Sequence, residues 1–147
     1  MSDSVTVRIT QQQDYQFVVD FGAGPASFVA DQSAPLGTGQ GPDPEQLLLA
    51  AVANCLAASL LFALRKFKQD PGKLAATLTC AVGRNEKNRL RVQSIDATIE
   101  LGKPGAEIEH LDRVLGQFED FCTVSQSVQA GIPVRVHVRD STGAVLK

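Results

Sequence analysis

No G-x-G-x-x-G, P-loop, H-E-x-x-H or G-x-S-x-G element occurs in the 147 residues, so ordinary cofactor, zinc-hydrolase and serine-nucleophile chemistries have no sequence support. Basic charge is scarce too. Fourteen Lys and Arg stand against sixteen Asp and Glu, for a net charge of −2. The cations are scattered along the chain, so there is no footprint for nucleic acid. The opening "MSDSVTVRIT" has neither a basic n-region nor an apolar h-region, which points to a cytoplasmic protein. Only three cysteines are present, Cys55, Cys80 and Cys122. An odd number without C-x-x-C spacing suits neither a secreted disulfide framework nor a four-ligand zinc site, and leaves room for reactive thiols. The two histidines, His110 and His137, lie far apart and form no metal or triad pattern with the cysteines, so no catalytic histidine is expected. Repeats and low-complexity segments are absent as well.

What is present is an ordinary globular composition, 44% hydrophobic and 20% charged. The length is that of one domain with its own core, residues 1–147. "VTVRIT" alternates apolar and polar residues, and "YQFVVDF" follows after the polar "QQQD"; together they read as a β-hairpin. A third short strand is expected around Phe28. "DQSAPLGTGQGPDP" then reads as an irregular loop. It ends in helix start signals: Asp43 to cap, Pro44 at the first helical position and Gln46 three residues after Asp43. A Leu- and Ala-rich helix should therefore run from Pro44 through "RKFK" until Pro71 and Gly72 stop it. Leu47 to Leu64 is just long enough to raise a transmembrane reading. Its small alanines, Asn54, Ser59 and the amphipathic strands on both sides favour a core helix buried on nearly all sides instead.

A second hairpin is expected from "LAATLTCAV" and "LRVQSIDATIEL", joined by "GRNEKN". Ile108, Leu111, Val114, Leu115 and Phe118 recur at helical spacing between Glu107 and Phe121, which predicts an amphipathic helix. "TVSQSVQAG" adds a helical turn or two before the alternating strand "PVRVHV" and a final "TGAVL". The order is α+β rather than a regular βαβ repeat.

Taken alone, Cys55 and Cys80 read as small buried hydrophobes. Cys122 sits in "EDFCTVSQSV" between two helical patterns. A helix start there would lower its thiol pKa, whereas Glu119 and Asp120 would raise it, and both readings stay open. Glu45 is explained by its place in a first helical turn.

The pair of segments "PEQLLLAAVANCLAASL" and "FCTVSQSV" resembles the two cysteine motifs of the OsmC/Ohr family, the osmotically inducible and organic hydroperoxide resistance proteins. The order of hairpins, long helix, later helix and closing strand matches over most of the chain. The resemblance implies an OsmC-like fold, with antiparallel sheets around a long buried central helix, assembled as an intertwined homodimer with sites at the subunit interface. It further implies a thiol peroxidase that reduces organic hydroperoxides with an external thiol or dithiol reductant, without a metal or cofactor, nucleic acid or membrane. In that reading Cys55 matches the peroxidatic cysteine, Cys122 the resolving cysteine and Glu45 the glutamate at the helix start. The family's peroxidases also carry an arginine in the turn of the first hairpin, paired with that glutamate. The corresponding stretch here is "TQQQDYQ", and Arg8 lies several residues earlier on the other strand face, so the role is not carried over to it.

In such chemistry a thiolate attacks the O–O bond, and the resulting sulfenic acid condenses with a second thiol. A cysteine within an apolar helix has its pKa raised by desolvation, so a nearby cation is expected to supply the thiolate. Ten residues separate Glu45 from Cys55, roughly 15 Å along one helix and about 80° apart in direction. If the two long helices of the implied dimer pack antiparallel with their two-fold axis near Ala50, Glu45 of one subunit would come level with Cys55 of the other. The alternative reading is a non-enzymatic dimer of the same fold that binds an apolar ligand or senses oxidants.

Overall fold

A computed structural model describes residues 3–147. The chain divides into two compact units, Met1–Leu48 and Leu49–Lys147. The first holds a three-stranded sheet of order β1-β2-β3, formed by β1 (Arg8–Gln13), β2 (Gln16–Asp20) and β3 (Phe28–Ala30). Both pairings are antiparallel. The expected hairpin is present, but its turn is shorter than the polar run suggested. Gln11, Gln12 and Gln13 continue β1 through a bulge, and the chain reverses at Asp14 and Tyr15. Asp14 takes a positive φ of 47°, a conformation Asp tolerates, and the Gln11 side chain donates to its carbonyl at 2.9 Å. The strand also starts later, at Arg8, and leaves Val5 and Val7 exposed before it.

The loop after β3 is irregular, as its Gly and Pro content implies, and is organised around one buried carboxylate. Asp31 accepts hydrogen bonds from the amides of Gln32 and Gln40 and from the Thr38 hydroxyl.

Helix α1 (Pro44–Lys66) begins where the capping signals place it. The Asp43 carboxylate accepts from the Gln46 amide at 2.8 Å, and the Gln46 side-chain oxygen accepts from the Asp43 amide at 2.9 Å. This reciprocal pair satisfies two amides that would otherwise lack partners. The far end differs from expectation. The helix stops five residues before Pro71, because Lys68 turns left-handed at φ 56° and the amides of Lys68 and Gln69 bond back to the carbonyls of Arg65 and Leu64. Those are the two bonds of a Schellman stop, here without a glycine.

The second unit is built on a sheet of order β4-β5-β6, from β4 (Ala75–Arg84), β5 (Leu90–Glu100) and β6 (Val134–Arg139). β4 and β5 form the expected hairpin, whereas β6 pairs with β5 in parallel. A parallel neighbour requires a crossover, and the helical segment between the two strands supplies it. Across that pair Asp96 faces Arg135, and their bidentate ion pair fixes the register. Ile95, Ala97 and Ile99 on β5 and Val136 and Val138 on β6 point inward by strict alternation. Val52, Leu56, Leu60 and Leu64 of α1 are fully buried in the same unit, each leucine contributing about 1.5–3 kcal/mol. By length and composition α1 could cross a bilayer, with mean hydropathy 2.4 over 18 residues. Its row Val52, Leu56, Leu60 and Leu64 packs instead as a core helix does. Burial on nearly all sides is not reached within one chain, however, since only 28% of that window is buried.

The predicted helix from Glu107 to Phe121 is broken. A 3₁₀ turn at Gly105–Glu107 is followed by α2 (Leu111–Gln117), a second 3₁₀ turn at Phe118–Phe121 and then α3 (Thr123–Gln129). The apolar positions are nonetheless inward, with Ile108, Val114, Leu115 and Phe118 buried. Tertiary contacts override the periodicity at the start. The Gln69 side chain accepts from the Glu109 amide, and His110 adopts φ 60° with its ring stacked on Phe67 at 5.0 Å. The final "TGAVL" makes a single bridge, Arg139 to Val145.

Asp140 ties this unit's last turn. The Gly105 amide and the Thr142 hydroxyl hold its carboxylate down to about 2 against the opposing effect of burial, with help from the amides of Thr142 and Ala144. A carboxyl depressed on folding stabilises the fold above its ordinary pKa of 3.8 and loses that contribution as pH falls toward 2. Urea unfolding of wild type and Asp140→Asn should therefore differ most above pH 4 and converge toward pH 2. A difference independent of pH over that range would remove Asp140 as the cause.

Candidate functional site

Cys55 lies on the fourth turn of α1, half-buried, and Cys122 is fully buried in the segment that links the second 3₁₀ turn to α3. Although 67 positions apart, their thiols are within hydrogen-bonding reach of each other, and neither is in a disulfide.

The local fold makes this meeting possible. Cys122 ends the 3₁₀ turn, its amide donating to the Glu119 carbonyl at 3.0 Å, and then takes extended backbone at φ −84°, ψ 96°. It is thereby the N-cap residue of α3, and its carbonyl accepts from the Gln126 amide. No side chain of its own caps that helix. The first amides of a helix have no intrahelical partner, and two of them, Val124 and Ser125, are turned to the sulfur of Cys55.

Electrostatics follow from this geometry. Burial works to raise the Cys55 pKa, but the Cys122 thiol, the Val124 amide, the Ser59 hydroxyl and the Ser125 amide all stabilise its anion, and the balance is a lowered value. Cys122 moves the other way: burial raises its pKa, and its proton is shared toward Cys55. The pair gives up one proton readily and holds the second. Within one chain the groups that favour the Cys55 thiolate are dipoles, and of the two readings open for Cys122 the raised pKa prevails, through burial and the neighbouring Cys55.

Ser59 and Ser125 escaped the sequence reading as site residues. Ser59 is one helical turn after Cys55 on the same face, and Ser125 is fully buried beside Cys122, its hydroxyl donating to the Cys122 carbonyl at 3.5 Å. A hydroxyl at i+4 or i+3 from each cysteine was the available signal. Cys80 stands on β4 opposite Ile95 and takes no part in the pair. His137 is exposed on β6, and His110 is occupied against Phe67. Glu45 is half-buried in the first turn of α1, without an ion-pair partner among the described residues. Arg8 opens β1, exposed and in register with Asp20. Among the described residues no group of three or more His, Cys, Asp or Glu is placed to hold a metal ion.

Solved structures place this fold among known ones. The OsmC-like protein of unknown function from Vibrio cholerae superposes with a TM-score of 0.79 at 16% identity, covering 93% of this chain and 99% of that one. An organic hydroperoxide resistance protein from Elizabethkingia anophelis gives 0.71 at 20% identity, covering 96% and 100%. The organic hydroperoxide resistance protein OhrB of Bacillus subtilis gives 0.70 at 14%, covering 93% and 98%. At such identities the likeness is one of fold. No curated protein sequence matches the chain. The family model described as OsmC-like protein matches residues 37–137, a span that contains both Cys55 and Cys122, and the chain belongs to that family.

Proposed function

We propose that the chain is a thiol peroxidase that reduces organic hydroperoxides, with Cys55 as the attacking thiolate and Cys122 as the resolving thiol. The observation that carries this reading is the placement of two reduced, distant cysteines in contact, one with a lowered and one with a raised pKa. Family membership and fold neighbours named for organic hydroperoxide resistance support a peroxide-related role.

The chemistry balances as follows. The Cys55 thiolate attacks the terminal oxygen of R–O–OH, an S–O bond forms as the O–O bond breaks, and the alkoxide takes a proton from water to leave as alcohol. The raised pKa of Cys122 keeps its proton in place during this step, so that Cys122 remains a thiol. The sulfenic acid then condenses with Cys122, releasing water and leaving a Cys55–Cys122 disulfide. An external dithiol reduces it by exchange. We further propose that the working form is a cytoplasmic homodimer, in which Glu45 of one subunit contributes at the thiolate of the other.

Treatment with one equivalent of cumene hydroperoxide, followed by non-reducing peptide mapping, should yield a linked Cys55/Cys122 peptide and unmodified Cys80. A dominant adduct on Cys80 would sink the assignment. A second reading, binding of an apolar ligand without turnover, has one observation in its favour. A cavity of about 250 Å³ in the first unit is walled by Ile9, Tyr15, Phe17, Val19 and Leu47. That reading gains if the disulfide forms but dithiol-dependent peroxide consumption is absent.

A further inference from the structure

Lys147 reaches from the sheet of the second unit to the segment that delivers Cys122. Its backbone is fixed first. The amides of Leu146 and Lys147 donate to the Val138 carbonyl of β6 at 2.8 and 3.3 Å, and Val138 is fully buried. From that anchor the Lys147 ammonium donates to the Leu115 carbonyl at 2.8 Å, pairs with the Glu119 carboxylate and lies 5.4 Å from the centre of the buried Phe118 ring. Leu115 is in the last turn of α2, where carbonyls lack intrahelical partners and the helix dipole favours a cation. One ammonium thus ties β6, α2 and the second 3₁₀ turn together.

Glu119 carries the tie onward. Its side chain holds Lys147, while its carbonyl accepts from the Cys122 amide at 3.0 Å and from the Gln126 side chain of α3 at 3.1 Å. The backbone of the second cysteine is therefore one residue removed from the Lys147 contact. The paired side chains are only 33% and 21% exposed, and the ammonium has a carbonyl and a ring as further partners, so this is not the solvated surface pair that contributes little. The contact is made within one chain and does not depend on what covers the outer face of α1.

In the resolving step the Cys122 sulfur attacks the Cys55 sulfur, an S–S bond forms as the S–O bond breaks, and the hydroxyl leaves with the Cys122 proton as water. The rate of such an intramolecular step follows how well the two sulfurs are held in line. We propose, resting on the roles assigned to Cys55 and Cys122, that Lys147 acting through Glu119 is the positioning residue for this step. It sets the backbone that presents Cys122, and its own partners are Leu115 and Glu119 rather than a sulfur. The attack of Cys55 on peroxide does not use it.

Rapid-quench peptide mapping of the full chain after one equivalent of cumene hydroperoxide follows two events, loss of the free Cys55 thiol and appearance of the Cys55/Cys122 linkage. In Lys147→Met, which keeps an apolar stem on Phe118, the first should stay within about twofold of wild type. The second should slow about tenfold, with dimedone trapping the sulfenic acid in the interval. Glu119→Gln should do the same, and the double variant should be no slower than either single one, because both act through one contact. Diamide repeats the measurement without peroxide: one thiol adds to its azo bond, and the second displaces the resulting hydrazine to close the disulfide. Wild type that links with diamide but not with cumene hydroperoxide would remove the peroxidase reading, while slower closure of Lys147→Met with diamide would still uphold the positioning role. Linkage at the wild-type rate in both single variants, a parallel fall in both events, multiplied losses in the double variant, or a wild type that links with neither oxidant would overturn the proposal.

Discussion

Replacing Cys55 by serine should lower dithiol-dependent turnover of cumene hydroperoxide by at least about 10³-fold, the scale of losing a nucleophile outright. Serine keeps the helix, the half-buried position and much of the hydrogen bonding, so the loss isolates the sulfur. Cys122→Ser should behave differently. Without reductant it should still consume one equivalent of peroxide, because the attacking sulfur retains the Val124 and Ser125 amides and the Ser59 hydroxyl. Its product should be a sulfenic acid that dimedone traps, where wild type gives a disulfide. The pH dependence carries the sign of the pKa shifts. Attack requires thiolate, and the Cys55 pKa is lowered, so the single-turnover rate should reach its plateau below the pH at which an ordinary thiol ionises. The Cys122 thiol is one of the groups lowering that pKa, so the midpoint should move upward in Cys122→Ala, which removes the donor. Stopped-flow peroxide consumption measures all three. A Cys55→Ser protein that retains wild-type turnover, or a Cys80→Ser protein that loses it, would refute the assignment.

How much of this was legible beforehand depends on the range of the interactions involved. The start of α1 was, because Asp43, Pro44 and Gln46 act on each other within one turn. The β4–β5 hairpin was for the same reason, with alternation on both arms and turn residues between them. The end of α1, the turn at Asp14 and the break at His110 were not, because each depends on backbone accepting a left-handed conformation at a residue other than glycine. The junction at Cys122 is separate from these: its extended backbone stands between the second 3₁₀ turn and α3, where the sequence placed it between two helical patterns, and the first amides of α3 lie near Cys55. The motifs named the two cysteines, but local chemistry left the helix-start effect at Cys122 open. Spacing along a chain cannot show which sulfur a helix end faces when the helix and the sulfur are 67 positions apart.

Sedimentation at micromolar concentration should show twice the 15.7 kDa chain mass, and Ala58→Glu should return the protein to the chain mass without unfolding it. The two sides of α1 are unequally covered. Val52, Leu56, Leu60 and Leu64 are completely buried on one side, while Ala50, Ala51, Asn54 and Ala58 stand exposed on the other. A window with mean hydropathy 2.4 of which 28% is buried leaves an apolar helix incompletely covered within one chain. An uncovered apolar face on a soluble fold calls for a partner surface, and small side chains let a second helix approach closely. A second copy of α1 presents the same stripe, so a two-fold contact is self-complementary. Cys55 is half-exposed on this helix, and the covering copy would then also complete the walls around its sulfur. Ala58 is exposed within one chain, so a glutamate there is harmless to the isolated fold and costly only where a second helix would bury its charge. Circular dichroism of the variant should match wild type while its peroxide turnover falls with the dimer fraction. Wild type that sediments at the chain mass, or an Ala58→Glu variant that remains fully dimeric, would show that the exposed face of α1 is not the contact.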